Sequence, residues 1–384
     1  MKKKVLIMAG YYVPSIKGGG PIQSIKNLVD SLSDKIDFYI VAADRDLGDS
    51  EPFSDIKIDE WVEFGKAKVF YTNPSELTWQ KTSKIIKNVD CDAIYLNSFF
   101  SFKYSIVPML LKKAKIIPRI PVVIAPRGEF SPGALELKSK KKTLYLSIAK
   151  ALRIYNDVVW HGTAEIERTH IKQAFSNAPK IIVANNLTPD YSMLNYEKKV
   201  EKKTGELEII FVSRIHPKKN LIKAIELLKK TDGKIKFNIY GPIEDKAYWE
   251  KCEKAVVELP PNIKVLYKGI LGRDQIRNAF MGNHIFLFPT LGENFGHVIS
   301  EALIGGCPVI ISDQTPWTNL EKKSIGWDIP LKNDDKFIEA LNYCVGLDQD
   351  EYETLAKRAF TYGKEGSENL NDKKDTMKLF NIKF

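Results

Sequence analysis

The sequence predicts an α/β protein built as two doubly wound, Rossmann-like domains facing a central cleft. Three observations predict it. The chain has 384 residues, and domains commonly hold roughly 100–200 residues each. Short β-branched runs alternate with longer amphipathic stretches, a rhythm that argues for parallel sheets covered by helices on both faces. A polar stretch without apolar periodicity, residues 188–206, interrupts the rhythm, which then restarts.

In order, VLIMA (5–9) reads as the first strand and residues 21–34 as a helix. FYIVAA (38–43) and KVFYT (68–72) read as further strands. AIYLNS (93–98) is followed by the helical SIVPMLLKKAK, then the strand PVVIAPRG (121–128). VVWHGT (158–163) leads into AEIERTHIKQAF, and IIVANN (181–186) closes the half. The second half begins with the strand EIIFVSR (208–214) and the helix LIKAIELLKK. KFNIYG (236–241), IKVLYKG (263–269), HIFLFPT (284–290) and PVIISD (308–313) read as strands separated by helices. The expected domains are 1–187 and 207–362, with 188–206 as linker and the charged tail 363–384 packing back on the first domain. Two such domains leave a cleft at the carboxyl ends of their strands, where ligands usually bind.

Composition excludes several classes. Hydrophobic residues make up 44% and charged residues 28%, ordinary for a folded protein and unlike a disordered or collagenous chain. No run approaches the ~18 apolar residues of a membrane span. The start MKKKVLIMAGYY imitates a secretory signal, but its apolar stretch falls short of the ~7 residues such a signal needs, so it is read as a strand. Cys91, Cys252, Cys307 and Cys344 are scattered, which disfavours a disulfide framework or a zinc site. The expectation is a cytoplasmic protein, at the inner face of the cell membrane if it touches a membrane at all.

The net charge is +10. Between Leu110 and Arg153 stand eleven Lys or Arg against two Glu, so nearly the whole excess sits there. Such a patch attracts a lipid surface, a phosphorylated acceptor or a nucleic acid, unless it is simply a solvated face. Within it, KSKKKTLYLSIAKALRIY mixes lysines with Leu144, Leu146, Ile148, Leu152 and Ile154, a pattern suited to an anionic membrane along 138–154. An interior helix with a basic outer face is the alternative. The segment lacks the aromatic interleaving of single-strand binders, so no nucleic-acid partner is expected.

Three constellations carry chemistry. In PTLGENFGHVISEALIGG a buried strand ends, a glycine-bearing loop follows and a helix opens near Gly296. Amides at a helix start favour anions and hydroxyls. Glu293 and Glu301 lie eight residues apart, about 12 Å at helical rise. In FVSRIHPKKNL, Arg214 and Lys219 sit past a strand's end. Two such cations suit a diphosphate, arginine by bidentate contact and lysine as a point charge. In YYVPSIKGGGPIQS, Gly18, Gly19 and Gly20 precede a proline at a helix start. Backbone there can approach a phosphate or sugar. This is neither the G-x-G-x-x-G fingerprint nor a Walker loop. The ordinary alternatives are a solvent-facing Glu, a basic surface loop and a flexible turn.

Taken together, the E-x7-E at Glu293/Glu301, the R-x4-K at Arg214/Lys219 and the glycine loop resemble family 4 retaining glycosyltransferases of the GT-B fold. APRGEFSPGAL and WHGTAEIE are most similar to members that build bacterial capsule, O-antigen and other surface polysaccharides. The resemblance implies a nucleotide-sugar donor, a saccharide acceptor that is often lipid-linked, and no required metal or cofactor. It implies that Arg214 and Lys219 grip the donor diphosphate. Glu293 would contact the donor sugar, with amides of Asn294, Phe295 and Gly296 on its hydroxyls, and Glu301 would hold the ribose. Backbone near Gly241, Pro242 and Ile270 would hold the base, and Gly19 and Gly20 would approach the diphosphate and acceptor. Many members carry a His where this chain has Arg127, and often one where it has Asn97. Arginine is too basic to act as a general base, so Arg127 would bind a leaving or acceptor phosphate, or cap the strand end structurally. His161 is placed on the acceptor side, against a structural reading in which Thr163 caps the next helix and Glu165 complements its dipole.

The D-x-D pairs Asp44/Asp46, Asp90/Asp92 and Asp348/Asp350 are expected to be structural or solvated. Two rivals remain: a GT-B-fold epimerase or sugar-phosphate enzyme, and a non-catalytic binder of anionic glycan or nucleic acid.

Overall fold

The computed structural model describes residues 2–131, 134–135, 139–178, 180–197, 200–367 and 370–382. It divides into two compact units, Met1–Pro189 with Asn369–Phe384, and Asp190–Glu368.

The first unit holds an eight-stranded sheet. Its strands are β1 (Lys3–Gly10), β2 (Ile36–Ala43), β3 (Trp61–Phe64), β4 (Ala67–Thr72), β5 (Ala93–Asn97), β6 (Val122–Ala125), β7 (Val158–Gly162) and β8 (Lys180–Val183). Their spatial order is β3-β4-β2-β1-β5-β6-β7-β8. Every pairing is parallel except β3 with β4. β1 shows why the strands read as continuous apolar runs: side chains alternate between faces. Val5 and Ile7 enter one core, Leu6 and Met8 the other. Helix Gly20–Leu32 buries Ile22, Ile25, Leu28, Val29 and Leu32, the spacing of one helical face. The second core, under helix Ser139–Ala151, is aromatic. Phe99 lies 4.8 Å from both Phe130 and Tyr155, centroid to centroid, and Trp160 lies 4.9 Å from Phe175. Helix Leu370–Leu379 belongs to this unit. Met377, Leu379 and Phe380 pack in the core that contains Val5 and Ile7.

The second unit holds six parallel strands around one core. They are β9 (Glu206–Val212), β10 (Lys234–Tyr240), β11 (Ile263–Tyr267), β12 (Ile285–Phe288), β13 (Val309–Ser312) and β14 (Gly326–Ile329), in spatial order β11-β10-β9-β12-β13-β14. The chain therefore builds outward from β9 in one direction, then returns to place β12 on β9's other side. In such sheets the crevice outside the carboxyl ends of the strands at this reversal is the favoured ligand site.

The stretch expected to be a linker is instead mostly fastened to the second unit. Tyr196 and Val200 pack against Leu347, Tyr352 and Ala356. Lys202 is only 3% exposed. Its ammonium donates to the carbonyls of Lys203 (2.9 Å), Val345 (3.1 Å) and Leu347 (2.8 Å). These lie around the C-terminus of helix Asp334–Gly346, where the helix dipole favours a cation. A polar stretch without apolar periodicity reads as a linker, but a lysine buried on carbonyls fastens it all the same. Lys198 and Lys199 lie outside the described residues.

Candidate functional site

In the second unit, the loops after β9 and β12 bring the candidate residues together at the sheet's reversal. Lys219 and Glu293, 74 residues apart in sequence, form an ion pair with side chains 15% and 13% exposed. Arg214, half-exposed, donates from Nη1 to Glu244 Oε2 at 2.6 Å. The loops are laced to each other. Asn220 Nδ2 donates to the Pro289 carbonyl (2.9 Å). The Leu291 amide and Thr290 Oγ1 both donate to the Lys218 carbonyl, at 2.9 and 3.1 Å. Asn220 takes a left-handed backbone, φ 60°, which lets the chain turn straight into helix Leu221–Leu228.

The loop after β13 braces the assembly, and its residues escaped sequence reasoning. The Glu293 amide donates to the Gln314 carbonyl (2.9 Å), and Trp317 Nε1 donates to the Phe295 carbonyl (2.6 Å). Ser312 Oγ donates to the Thr290 carbonyl (2.5 Å). Trp317 was traceable only as a large aromatic just past a strand end. Gly296 sits at the start of helix His297–Ile304 with φ 77°, a conformation costly for any residue with a Cβ. Asn294 and Phe295 lie in the same turn, the Phe295 ring 4.7 Å from that of His297.

Glu301 lies one turn further along the helix, half-buried. Burial pushes its carboxyl up to about 7, with Arg273 opposing the shift. Tyr191, at the start of the second unit, lies close enough for the Glu301 charge to add to the burial that raises its phenol. That neighbour was also missed, because it comes from the supposed linker.

Gly241 is required by packing. A Cβ there would stand 1.8 Å from the Ser213 carbonyl oxygen, at φ 138°. Its amide donates to Gly269 O, and its carbonyl accepts from Tyr267 OH, both at 2.8 Å. The Pro242 carbonyl accepts from the Ile215 amide, also at 2.8 Å. The backbone expected to hold a base is thus already committed at Gly241 and Pro242. Ile270 presents an exposed apolar side chain just beyond β11.

In the first unit the glycine loop follows β1 and is tied down by Asp46. Ser15 Oγ donates to Asp46 at 2.5 Å, the Ile16 amide at 2.9 Å and the Leu47 amide at 2.7 Å. Burial alone would raise the Asp46 carboxyl. The hydrogen bonds from Ser15 and from these amides outweigh it and hold it below the usual carboxylate value. Gly19 has φ 69°, and Gly20 opens the helix with Pro21 at its first turn. The other D-x-D residues are also structural. Asp44 pairs with Arg45 (2.8 Å), Asp90 ends helix Trp79–Val89 in a left-handed turn, Asp92 accepts the Lys4 amide (2.8 Å), and Asp348 accepts the Asp350 amide (3.0 Å).

Arg127, Asn97 and His161 form one network across β5, β6 and β7. Arg127 Nε donates to Asn97 Oδ1 (2.7 Å) and Nη2 to Tyr95 OH (2.8 Å). Nη1 donates to Asn186 Oδ1 (2.5 Å). Tyr95 OH lies 2.8 Å from His161 Nδ1, and His161 Nε2 lies 2.9 Å from the Ala184 carbonyl. A carbonyl only accepts, so Nε2 carries the proton and Tyr95 donates to Nδ1. Burial pushes the imidazole down to about 3, Arg127 lowers it further, and the bond to Ala184 opposes the shift. This corrects the placement of His161 on the acceptor side. It is 4% exposed, both ring nitrogens are used, and it works from beneath as a brace for Tyr95.

The proposed helix cap is corrected as well. Ala164 precedes helix Glu165–Ala174 without a side-chain cap. Thr163 instead donates from its amide and Oγ1 to Glu167, both at 2.8 Å. Glu167 also accepts the Gly128 amide (2.6 Å), and Glu129 accepts from Ser98 Oγ (2.8 Å) and the Phe99 amide (2.5 Å). These two carboxylates, Glu167 fully buried and Glu129 partly so, set the loops at the carboxyl end of the sheet, and sequence reasoning missed both. The available signal was Glu167's place on the inward face with Ile171 and Ala174.

On helix Ser139–Ala151, Leu144 and Ile148 are 63% and 45% exposed, and Leu152 just beyond it is 54% exposed. Leu146 is half-buried and Ile154 buried, so only part of the expected apolar face points outward. Lys140 and Lys141 are exposed; Lys138 lies outside the described residues. Among the described residues no helix is long and apolar enough to cross a membrane.

Comparison with known proteins adds the following. Residues 193–361 match the family model "Glycosyl transferases group 1". An uncharacterized 41.2 kDa protein in the cps region of Klebsiella pneumoniae is 25% identical over 235 residues, 60% of this chain and 62% of that protein. The sulfoquinovosyl transferase SQD2 of Arabidopsis thaliana is 31% identical over 117 residues, 30% of this chain and 21% of that protein. The chain thus spans about a fifth of one curated relative and about three fifths of the other. The crystal structure of Anabaena HepE in complex with UDP and glucose superposes with TM-score 0.67, at 16% identity and 98% coverage of both chains. The second unit is therefore similar, over residues 193–361, to the glycosyl transferases of group 1, and the two Rossmann-like units have the fold of GT-B glycosyltransferases.

Proposed function

We propose that the chain is a retaining glycosyltransferase that moves a sugar from a nucleotide-sugar donor to a saccharide acceptor in bacterial surface-polysaccharide synthesis. The observation that carries this reading is the meeting of Lys219 and Glu293 at the β9/β12 reversal, with Arg214 on the same loop after β9. Two cations and a carboxylate on laced loops suit a diphosphate joined to a polyhydroxyl ring.

In the reaction, the bond from the donor's anomeric carbon to the β-phosphate oxygen breaks. A bond from that carbon to the acceptor oxygen forms on the same face. The acceptor's hydroxyl proton passes to the departing phosphate. Arg214 and Lys219 stabilise charge that grows on the diphosphate, the kind of preorganised electrostatic effect that often contributes most to catalysis. Glu293 accepts from a sugar hydroxyl and Glu301 from the ribose, while the amides of Asn294, Phe295 and Gly296 donate to the sugar. No step requires a metal or cofactor. The relative from a cps region and the neighbour crystallised with UDP and glucose support this substrate class.

The donor test is a thermal-shift panel of UDP-, GDP-, ADP- and TDP-sugars. One base is expected to stabilise the protein, by about 2.7 kcal/mol at ~100-fold excess over its dissociation constant. Absence of any shift would count against the reading, and conversion of the donor without transfer would favour an epimerase. For a lipid-linked acceptor, Leu144, Ile148 and Leu152 with the neighbouring lysines supply membrane contact, each basic residue near an anionic surface adding about 1 kcal/mol. Replacing Lys140, Lys141 and Lys142 by Ser is expected to weaken sedimentation with anionic liposomes; unchanged partitioning would retire that contact.

A further inference from the structure

We propose that Arg127 recognises a negatively charged group, a phosphate or a carboxylate, on the saccharide that receives the transfer. The inference rests on the glycosyltransferase reading and narrows its acceptor to acidic sugars.

The guanidinium is held at a carboxyl end of the first sheet by three neutral oxygens, those of Asn97, Asn186 and Tyr95. An arginine has five N–H donors. One bond from each nitrogen leaves a further N–H on each terminal nitrogen to donate to a carboxylate or phosphate oxygen. Three other arginines are paired with carboxylates: Arg45 with Asp44, Arg168 with Glu165 and Arg214 with Glu244. Among the described residues Arg127 forms no ion pair. The acids that share its loops are committed elsewhere, Glu129 to Ser98, Phe99 and Phe100, and Glu167 to Gly128 and Thr163.

The scaffold is also fixed at some cost. Asn97 is 4% exposed and turns its carbonyl oxygen to Arg127, leaving its buried Nδ2 without a hydrogen-bond partner. Flipping the amide would set Nδ2 against the Nε–H of Arg127, donor against donor, so the orientation is dictated by the arginine. Arg127 itself takes a left-handed backbone, φ 56°, which is unfavourable for a residue with a Cβ. Behind it, Tyr95 is locked by the buried, neutral His161. The result is a rigid, half-exposed cation without an ion-pair partner among the described residues, the buried Glu167 carboxylate being held beneath it on the Gly128 and Thr163 amides.

The test is a set of ligand-observed NMR titrations of the full chain, saturated with whichever of UDP, GDP, ADP and TDP binds it, against glucose 6-phosphate, glucuronate and glucose. At least one anionic sugar is expected to bind about tenfold or more tightly than glucose. The tighter of the two identifies phosphate or carboxylate as the recognised group. Arg127→Met is expected to remove that preference and Arg127→Lys to keep part of it; the lysine variant also serves if the methionine variant does not fold. Equal affinity for all three sugars, or a preference that survives Arg127→Met, overturns the proposal. If the wild type binds one of the four nucleotides but shows no anion preference, this inference alone fails; if it binds none of the four, the glycosyltransferase reading fails with it.

Discussion

The two units place cations at equivalent ends of similar sheets but treat their charge in opposite ways. In the second unit Lys219 and Arg214 face carboxylates, Glu293 and Glu244. In the first, Arg127 faces only neutral oxygens. A cation already paired can take a phosphate ligand only by sharing or exchanging its partner, so affinity there is tempered and reversible. A cation held by neutral groups keeps its charge and a fixed direction. The first arrangement suits a group that must be released every turnover; the second suits selection of one partner over another.

The largest expected effect breaks the comparison at the paired side. Lys219→Ala or Glu293→Ala should lower kcat/KM for transfer by about 10²–10³, as removal of preorganised charge stabilisation usually does. Melting temperatures near wild type would show that the fold survives, and near-normal turnover would remove the second unit's loops from the chemistry.

The next effects concern how each unit fixes its loops. Gly241→Ala forces a Cβ onto the Ser213 carbonyl and should destabilise the second unit by more than about 2 kcal/mol, within the range of severe single changes. Asp46→Ala releases the glycine loop and leaves buried donors unmatched, for about 1–3 kcal/mol. Urea denaturation of both variants measures the difference, and reversed order would mean that the carboxylate clamp outweighs the steric one.

The smallest effect is a pH dependence. The Glu301 carboxyl is raised above its unfolded value to about 7. The folded state therefore holds this proton more tightly than the unfolded chain does. The associated stability is fully present below the unfolded value and is lost as pH rises through about 7. Melting temperature should decline over that window in the wild type, and Glu301→Gln should flatten the decline. An identical decline in the variant would assign it to another group.

The sequence made the sheets legible because buried parallel strands are apolar on both faces, as residues 5–9 and 285–288 illustrate. The pairing of Lys219 with Glu293 was legible only as two motifs; that they meet depends on β12 lying beside β9, a fact of topology that no local pattern carries. The short β3 and β14 were missed, being four-residue strands at sheet edges. Glu129 and Glu167 were missed because a buried carboxylate satisfied by backbone amides leaves no periodicity of its own. His161 was misplaced for the converse reason: a histidine at a strand end reads the same whether it faces substrate or holds up a tyrosine.

The docking of Met377, Leu379 and Phe380 beside Val5 and Ile7 ties β1 to a helix made much later. During synthesis, the part of this core not covered by helix Gly20–Leu32 waits for about 180 intervening residues, roughly 10–40 s at ~5–20 residues per second, before the late helix can close it. An intermediate with that surface open is a natural client for chaperones, and removal of helix Leu370–Leu379 should disturb β1 first.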